Sequence, residues 1–92
     1  MSSPAREQFE NTMVQFIYSE LETGITFASL ALDSQTDEKR QRNRQNARKA
    51  FDTARHFLKQ RAVEEIVAQP DLQERLNKLK QLLRELGEKV EE

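Results

Sequence analysis

The chain has no cysteine and no tryptophan, and only two glycines and two prolines in 92 residues. Without cysteine, disulfides and thiolate metal sites are excluded. With so little glycine and proline there is little material for turns, so a few long elements are expected rather than many short ones. The longest apolar-leaning stretch, Gly24 to Leu32, is nine residues, far short of the ~20 that a membrane-spanning helix needs. Residues 1–7 lack the apolar core of a signal peptide, position 2 is Ser where N-myristoylation needs Gly, and no Asn-x-Ser/Thr sequon occurs. The expected location is cytoplasmic, with no membrane association. No Gly-rich phosphate loop, Cys/His nucleophile pair or triad spacing is present. No enzymatic activity and no cofactor are expected.

What the chain does have is charge, 34% of residues, sorted into blocks. Residues 1–35 carry one basic and five acidic side chains, net −4. Residues 36–61 carry nine basic and three acidic, net +6, and residues 62–92 carry five basic and eight acidic, net −3. Three such segments neutralise one another if they fold side by side. The apolar residues between the charges are periodic, which separates this composition from that of a disordered chain.

The periodicity predicts three helices in one domain over 1–92. Helix 1 is expected over about 4–32, with Ser3 as cap and Pro4 at the first helical position. Its apolar residues Phe9, Met13, Phe16, Ile17, Leu21, Ile25, Ala28 and Leu32 follow helical spacing. Val14, Phe27, Leu30 and Ala31 widen the apolar arc to roughly 200°, enough for two neighbours. Helix 2 is expected over about 36–68, capped by Thr36 or Ser34, either continuous or kinked near 60–62. Its first three turns are polar. An alanine-rich stripe follows at Ala47, Ala50, Phe51, Ala54, Phe57 and Leu58. Helix 3 is expected over about 71–88, with Pro70 ending helix 2 and Asp71 and Glu74 forming a capping box. Its Leu72, Leu76, Leu79, Leu83, Leu86 and Val90 form a heptad seam. That seam reads as one wall of an internal bundle, with a dimerisation zipper as the alternative. The tail from Glu88 is expected to fray. The fold class is all-α, an up-down-up antiparallel three-helix bundle built on a long helical hairpin.

Four groups of residues stand out. Arg40, Arg44 and Arg48 are spaced by four and form a basic stripe along helix 2. Nucleic acid is one possible partner, but no aromatic residue lies within the run to stack bases, and the acidic helices 1 and 3 are the expected counter-charge. Glu20 falls inside the apolar arc of helix 1. Folding about the 33–36 loop pairs residues whose numbers sum to about 69, which brings Glu20 to Arg48 or Arg44 as a structural ion pair and Gly24 to Ala47 as a close helix contact. His56 has Asp52 four residues earlier, but two ligands make no metal site, and Thr53 occupies the carboxylate position of the Glu-x-x-His pattern. Phe27, Leu30 and Leu32, near the end of helix 1, face the polar start of helix 2. A homodimer or a protein partner is expected to cover them.

Helices 1 and 2 also resemble a tetratricopeptide-repeat hairpin. Gly24 and Phe27 match the first helix of that pattern, and Ala47, Phe51 and Ala54 match the second. Thr23 stands where the repeat has Leu. The intervals from Gly24 to Ala47 and from Ala47 to Pro70 are 23 positions each, so each helix is about three turns longer than in the repeat. The resemblance implies a helical hairpin that binds other proteins, closed by an amphipathic solvating helix. The function expected from the sequence is therefore a non-enzymatic protein-interaction or scaffold module that self-associates or takes a partner. A nucleic-acid-binding module using the basic stripe is the alternative.

Overall fold

A computed structural model of the chain describes the backbone of residues 4–61 and 69–90, and the side chains of residues 12–59 and 69–90. Among the described residues there are three helices, α1 (Pro4–Asp33), α2 (Asp37–Arg61) and α3 (Pro70–Glu85), and no strand. α1 and α2 form the antiparallel hairpin. α3 runs parallel to α1, because Tyr18 meets Gln69, Glu22 meets Arg75 and Gly24 lies against Leu79. This is the up-down-up three-helix bundle that the spacing predicts, drawn out to 53 × 22 × 19 Å. α2 packs along the length of α1. α3 is fastened chiefly to α1 and meets α2 only sparsely. α2 is helical through Arg61, and the remainder of the expected run of helix 2 to residue 68, with the end of the expected kink region near 60–62, lies outside the described residues.

Local chemistry sets the helix ends. Thr36 caps α2: its Oγ1 accepts the Lys39 N–H at 3.3 Å, and its carbonyl accepts the Arg40 N–H at 3.0 Å. α3 begins earlier than expected. Pro70 opens it and Gln69 is the N-cap with extended backbone, so Asp71 sits in the first turn and does not cap. Proline lacks the N–H that would be orphaned at that position, which favours it there. The Gln69 side chain makes no cap bond, and its Oε1 accepts from the Tyr18 hydroxyl at 3.2 Å.

The other end of α3 also differs from expectation. The helix stops at Glu85, and Gly87 takes the left-handed conformation (φ 86°). The Gly87 N–H donates to the Arg84 carbonyl and the Glu88 N–H to the Leu83 carbonyl, each at 2.9 Å. This pair of bonds is the Schellman arrangement, which satisfies carbonyls the helix leaves over. The chain then turns towards α2 and does not fray there: Arg48 Nη1 donates to the Lys89 carbonyl at 2.5 Å, and Val90 packs against the core.

Ile17, Leu21, Phe51, Leu72, Leu79 and Leu83 are fully buried, with Ala28, Ala31, Ala47 and Ala54 between them. The leucine seam of α3 is thus an inner wall of the bundle. At the centre is Gly24. A Cβ there would stand 2.6 Å from Leu79 Cδ2 and 3.4 Å from Ala50 Cβ, so all three helices meet at this position. The close neighbour on α2 is Ala50, not Ala47. Facing residues of the hairpin have numbers summing to 73 or 74, as in Phe16 with Phe57 and Gly24 with Ala50, instead of the expected 69. Side chains lean towards the N-terminus of their own helix. In an antiparallel pair this moves the α2 partner of an α1 residue further from the turn than the position level with it.

Two substitutions test these contacts. Gly24→Val should lower stability by about 1–3 kcal/mol through overpacking, and adding Leu79→Ala should recover part of that loss. Strictly additive effects in urea denaturation would show that the two positions do not touch. Gly87→Ala should cost about 1–2 kcal/mol from backbone conformation alone, since a Cβ there would meet nothing within 4 Å. Gly87→Asn should cost less, and equal losses of melting temperature for the two would reject the left-handed cap as the cause.

Candidate interaction surface

α3 lies on one flank of α1 and, among the described residues, leaves the other open. The covered flank carries Tyr18, whose ring stacks under the Arg75 guanidinium at 5.2 Å, and Glu22, whose carboxylate accepts from Arg75 Nε. That hydrogen bond holds the Arg75 guanidinium above its ordinary pKa. Across the helix, Phe16 meets Phe57 of α2 edge to face, with centroids 5.0 Å apart. From Phe16 a second 4-3-4-3 series runs along α1 beside the buried one: Phe16, Glu20, Thr23, Phe27, Leu30. Phe16 is 38% and Leu30 49% exposed, whereas Phe27 and Glu20 are half-buried.

α2 borders the same flank with Asn43, Asn46, Thr53 and Phe57, spaced by three, seven and four. None of these four carries a charge. Glu20 is the one charged residue among the nine positions, in a chain that is 34% charged. Depletion of charge over a surface strip that keeps aromatic residues marks interface cores.

The expected partner-binding group is split by this geometry. Leu30 and Leu32 are two residues apart and therefore roughly 200° apart around α1. Phe27 and Leu30 belong to the open flank with Phe16. Leu32, 36% exposed, falls on the side of α1 that faces α3.

The expected ion pair of Glu20 with Arg48 is not formed, and neither is one with Arg44. The longer register brings Glu20 level with Ala54. Arg48 instead donates to Asp52 at 3.1 Å and to the Lys89 carbonyl, and its guanidinium lies 5.6 Å from the Phe51 ring centre. Glu20 has no hydrogen-bond or ion-pair partner among the described residues. The basic run of α2 lies beside the part of α1 that carries only Asp33 as a charge, so it is not neutralised across the hairpin. Among the described residues no ion pair joins α1 to α2. Arg42 pairs with Glu38 within α2 at 3.6 Å. Of the arginine stripe, Arg40 Nη2 donates to the Ser34 carbonyl at 3.4 Å, Arg48 is engaged as above, and half-buried Arg44 has no partner among the described residues.

On the outer side of α2, Arg48, Asp52, His56 and Glu88 line an open groove of about 470 Å³. Asp52 is occupied by Arg48. Among the described residues no three His, Cys, Asp or Glu side chains come together as metal ligands, and no helix is long and apolar enough to cross a membrane. No protein-family model matches the chain, and neither a curated protein nor a solved structure matches it.

Sequence reasoning missed Phe16, Asn46 and Phe57 as surface-site residues. The available signal was the second heptad-like series on α1, together with the uncharged strip of α2 that follows the same spacing. The lack of a partner for Glu20 among the described residues reverses the expected effect of removing it. Glu20→Leu should leave the fold intact and raise stability by roughly 0.5–1 kcal/mol, because it replaces a half-buried carboxylate by apolar surface. A loss of stability on chemical denaturation would instead indicate a structural partner for the carboxylate.

Proposed function

We propose that this chain is a non-enzymatic protein-interaction module that works through the open flank of its α1–α2 hairpin. The observation that carries the reading is the exposure of Phe16 and Leu30 within a strip that holds a single charge. Leaving such apolar side chains in water forfeits about 25 cal/mol for each Å² that a partner could cover. The tetratricopeptide-like residues Gly24, Phe27, Ala47, Phe51 and Ala54 fit the same reading, since they belong to a hairpin whose resemblance is to a protein-binding repeat. Leu32, on the other side of α1, is the secondary apolar contact. A nucleic-acid reading is less favoured because Arg40 and Arg48 are engaged within the fold and only Arg44 of the stripe is uncommitted.

The test is affinity capture from the native cell with two baits, the wild-type chain and Leu30→Lys. Leu30 is half-exposed, so the lysine should change the melting temperature little. A protein retained by the first bait and lost by the second is the expected result. Capture of nucleic acid that weakens steeply with salt, equal for both baits, would replace this reading with the alternative.

A further inference from the structure

We infer that the occupant of the open flank is the same flank of a second copy of this chain, packed antiparallel about a two-fold axis close to Thr23. The inference rests on the reading of that flank as an interaction surface, and it adds the identity of the partner and the register.

The α1 border carries side chains at alternating spacings of four and three, and the α2 border keeps the same heptad spacing on either side of buried Ala50, the pattern that packs helices near 20° in four-helix bundles. One hairpin supplies two helices of such a bundle, and a second hairpin completes it. The flank is also complementary to itself. Thr23 is the midpoint between Phe16 and Leu30. An axis there sets Leu30 of one copy against Phe16 and Phe57 of the other, so the exposed apolar groups at the two ends cover each other. The same axis brings Glu20 to within about half a turn of Asn46 on the second copy, using the hairpin register seen in the fold. An amide N–H₂ is a suitable donor to a carboxylate that has no partner among the described residues of its own chain.

Electrostatics permits the arrangement. Each flank brings one carboxylate, and the two Glu20 residues stand about 10 Å apart along the bundle, about one screening length at physiological salt. The whole chain carries a net charge of only −1, so the copies repel each other weakly. Area sets the strength. From Phe16 to Leu30 is about 21 Å of helix, and the hairpin is about 20 Å wide, which gives roughly 400 Å² on each copy. That is below the ~800 Å² per partner of standard stable interfaces. The dimer is therefore concentration-dependent, not obligate.

Analytical ultracentrifugation of the full chain from low micromolar to millimolar concentration should show a reversible monomer–dimer equilibrium. Leu30→Lys should weaken it at least about tenfold. Asn46→Lys, which sets a cation opposite the other copy's Glu20, should tighten it several-fold, and Asn46→Asp should weaken it. Within one chain Asn46 is about 12 Å from Glu20 along the hairpin, so an effect on folding alone would not follow this order. Because the chain lacks cysteine, single introduced cysteines report the register. Thr23→Cys should give a disulfide-linked dimer under mild oxidation, and Gln45→Cys, on the far side of α2, should not. Circular dichroism confirms that each variant keeps its helix content. A strict monomer at every concentration overturns the inference, as does equal cross-linking at Thr23→Cys and Gln45→Cys. If that monomer still captures a different protein through Leu30, the interaction reading stands and the second copy falls. If it captures nothing, both fall.

Discussion

The bundle depends on how closely three helices approach one another at Gly24. Glycine in mid-helix costs ~1 kcal/mol relative to alanine, and here the missing Cβ makes room for Leu79 and Ala50. Above and below it on α1 the buried series continues with Leu21 and Ile17 on one side and Ala28 and Ala31 on the other. α2 answers with Ala47, Ala50 and Ala54, so the hairpin is thin at its centre. Small residues bury little area each, and the large buried side chains lie around the thin region: Ile17, Leu21, Phe51, Leu72, Leu79 and Leu83. The position of α3 follows from this arrangement, because Leu79 fills the space that Gly24 leaves.

Placing α3 there decides what remains on the outside. A helix as broadly apolar as α1 needs neighbours on two sides, and α2 alone covers one arc of it. α3 takes the flank of Tyr18 and Glu22, where Arg75 ties the two helices by charge and by stacking. The flank of Phe16, Phe27 and Leu30 receives no third helix among the described residues. The charge pattern agrees with this division. Arginine and carboxylate meet at the covered flank, while the open one holds amides, hydroxyls and phenyl rings with Glu20 as its one charge.

Much of the fold was legible in the sequence. The alternation of three and four in α1 and α3 identified the inward faces, Thr36 was one of the two cap candidates at the start of α2, and the leucine seam was recognisable as an inner wall. The axial offset of the hairpin was not legible. Periodicity fixes which face turns inward but not how far one helix slides along another. A shift of about one turn exchanged Ala47 for Ala50 opposite Gly24 and removed Arg48 from Glu20. The same shift set the basic run beside the nearly uncharged end of α1, so neutralisation between whole blocks did not become pairing between residues. Nearness in sequence misled at Leu30 and Leu32, which diverge around the helix. At the end of α3, Gly87 was read as part of a long helix when its freedom of backbone conformation was what stopped it. The open flank was legible in principle, but only as a second series alongside the buried one, where a half-polar pattern is easily taken for ordinary solvated surface.

At the hairpin turn, the helix dipoles shape the field that an approaching ion meets. α1 has no basic residue in its last turn and has Asp33 there, so a carboxylate sits at the end where unpaired carbonyls already concentrate negative charge. The compensating cation comes from beyond the turn, as Arg40 reaches back to the Ser34 carbonyl. At the adjoining start of α2, Asp37 and Glu38 face the positive end of that helix. Charges of alternating sign therefore close on one another around the turn. Seen from a distance, the leading part of the most basic segment is largely cancelled, and its pull on a remote anion is weaker than its count of arginines suggests.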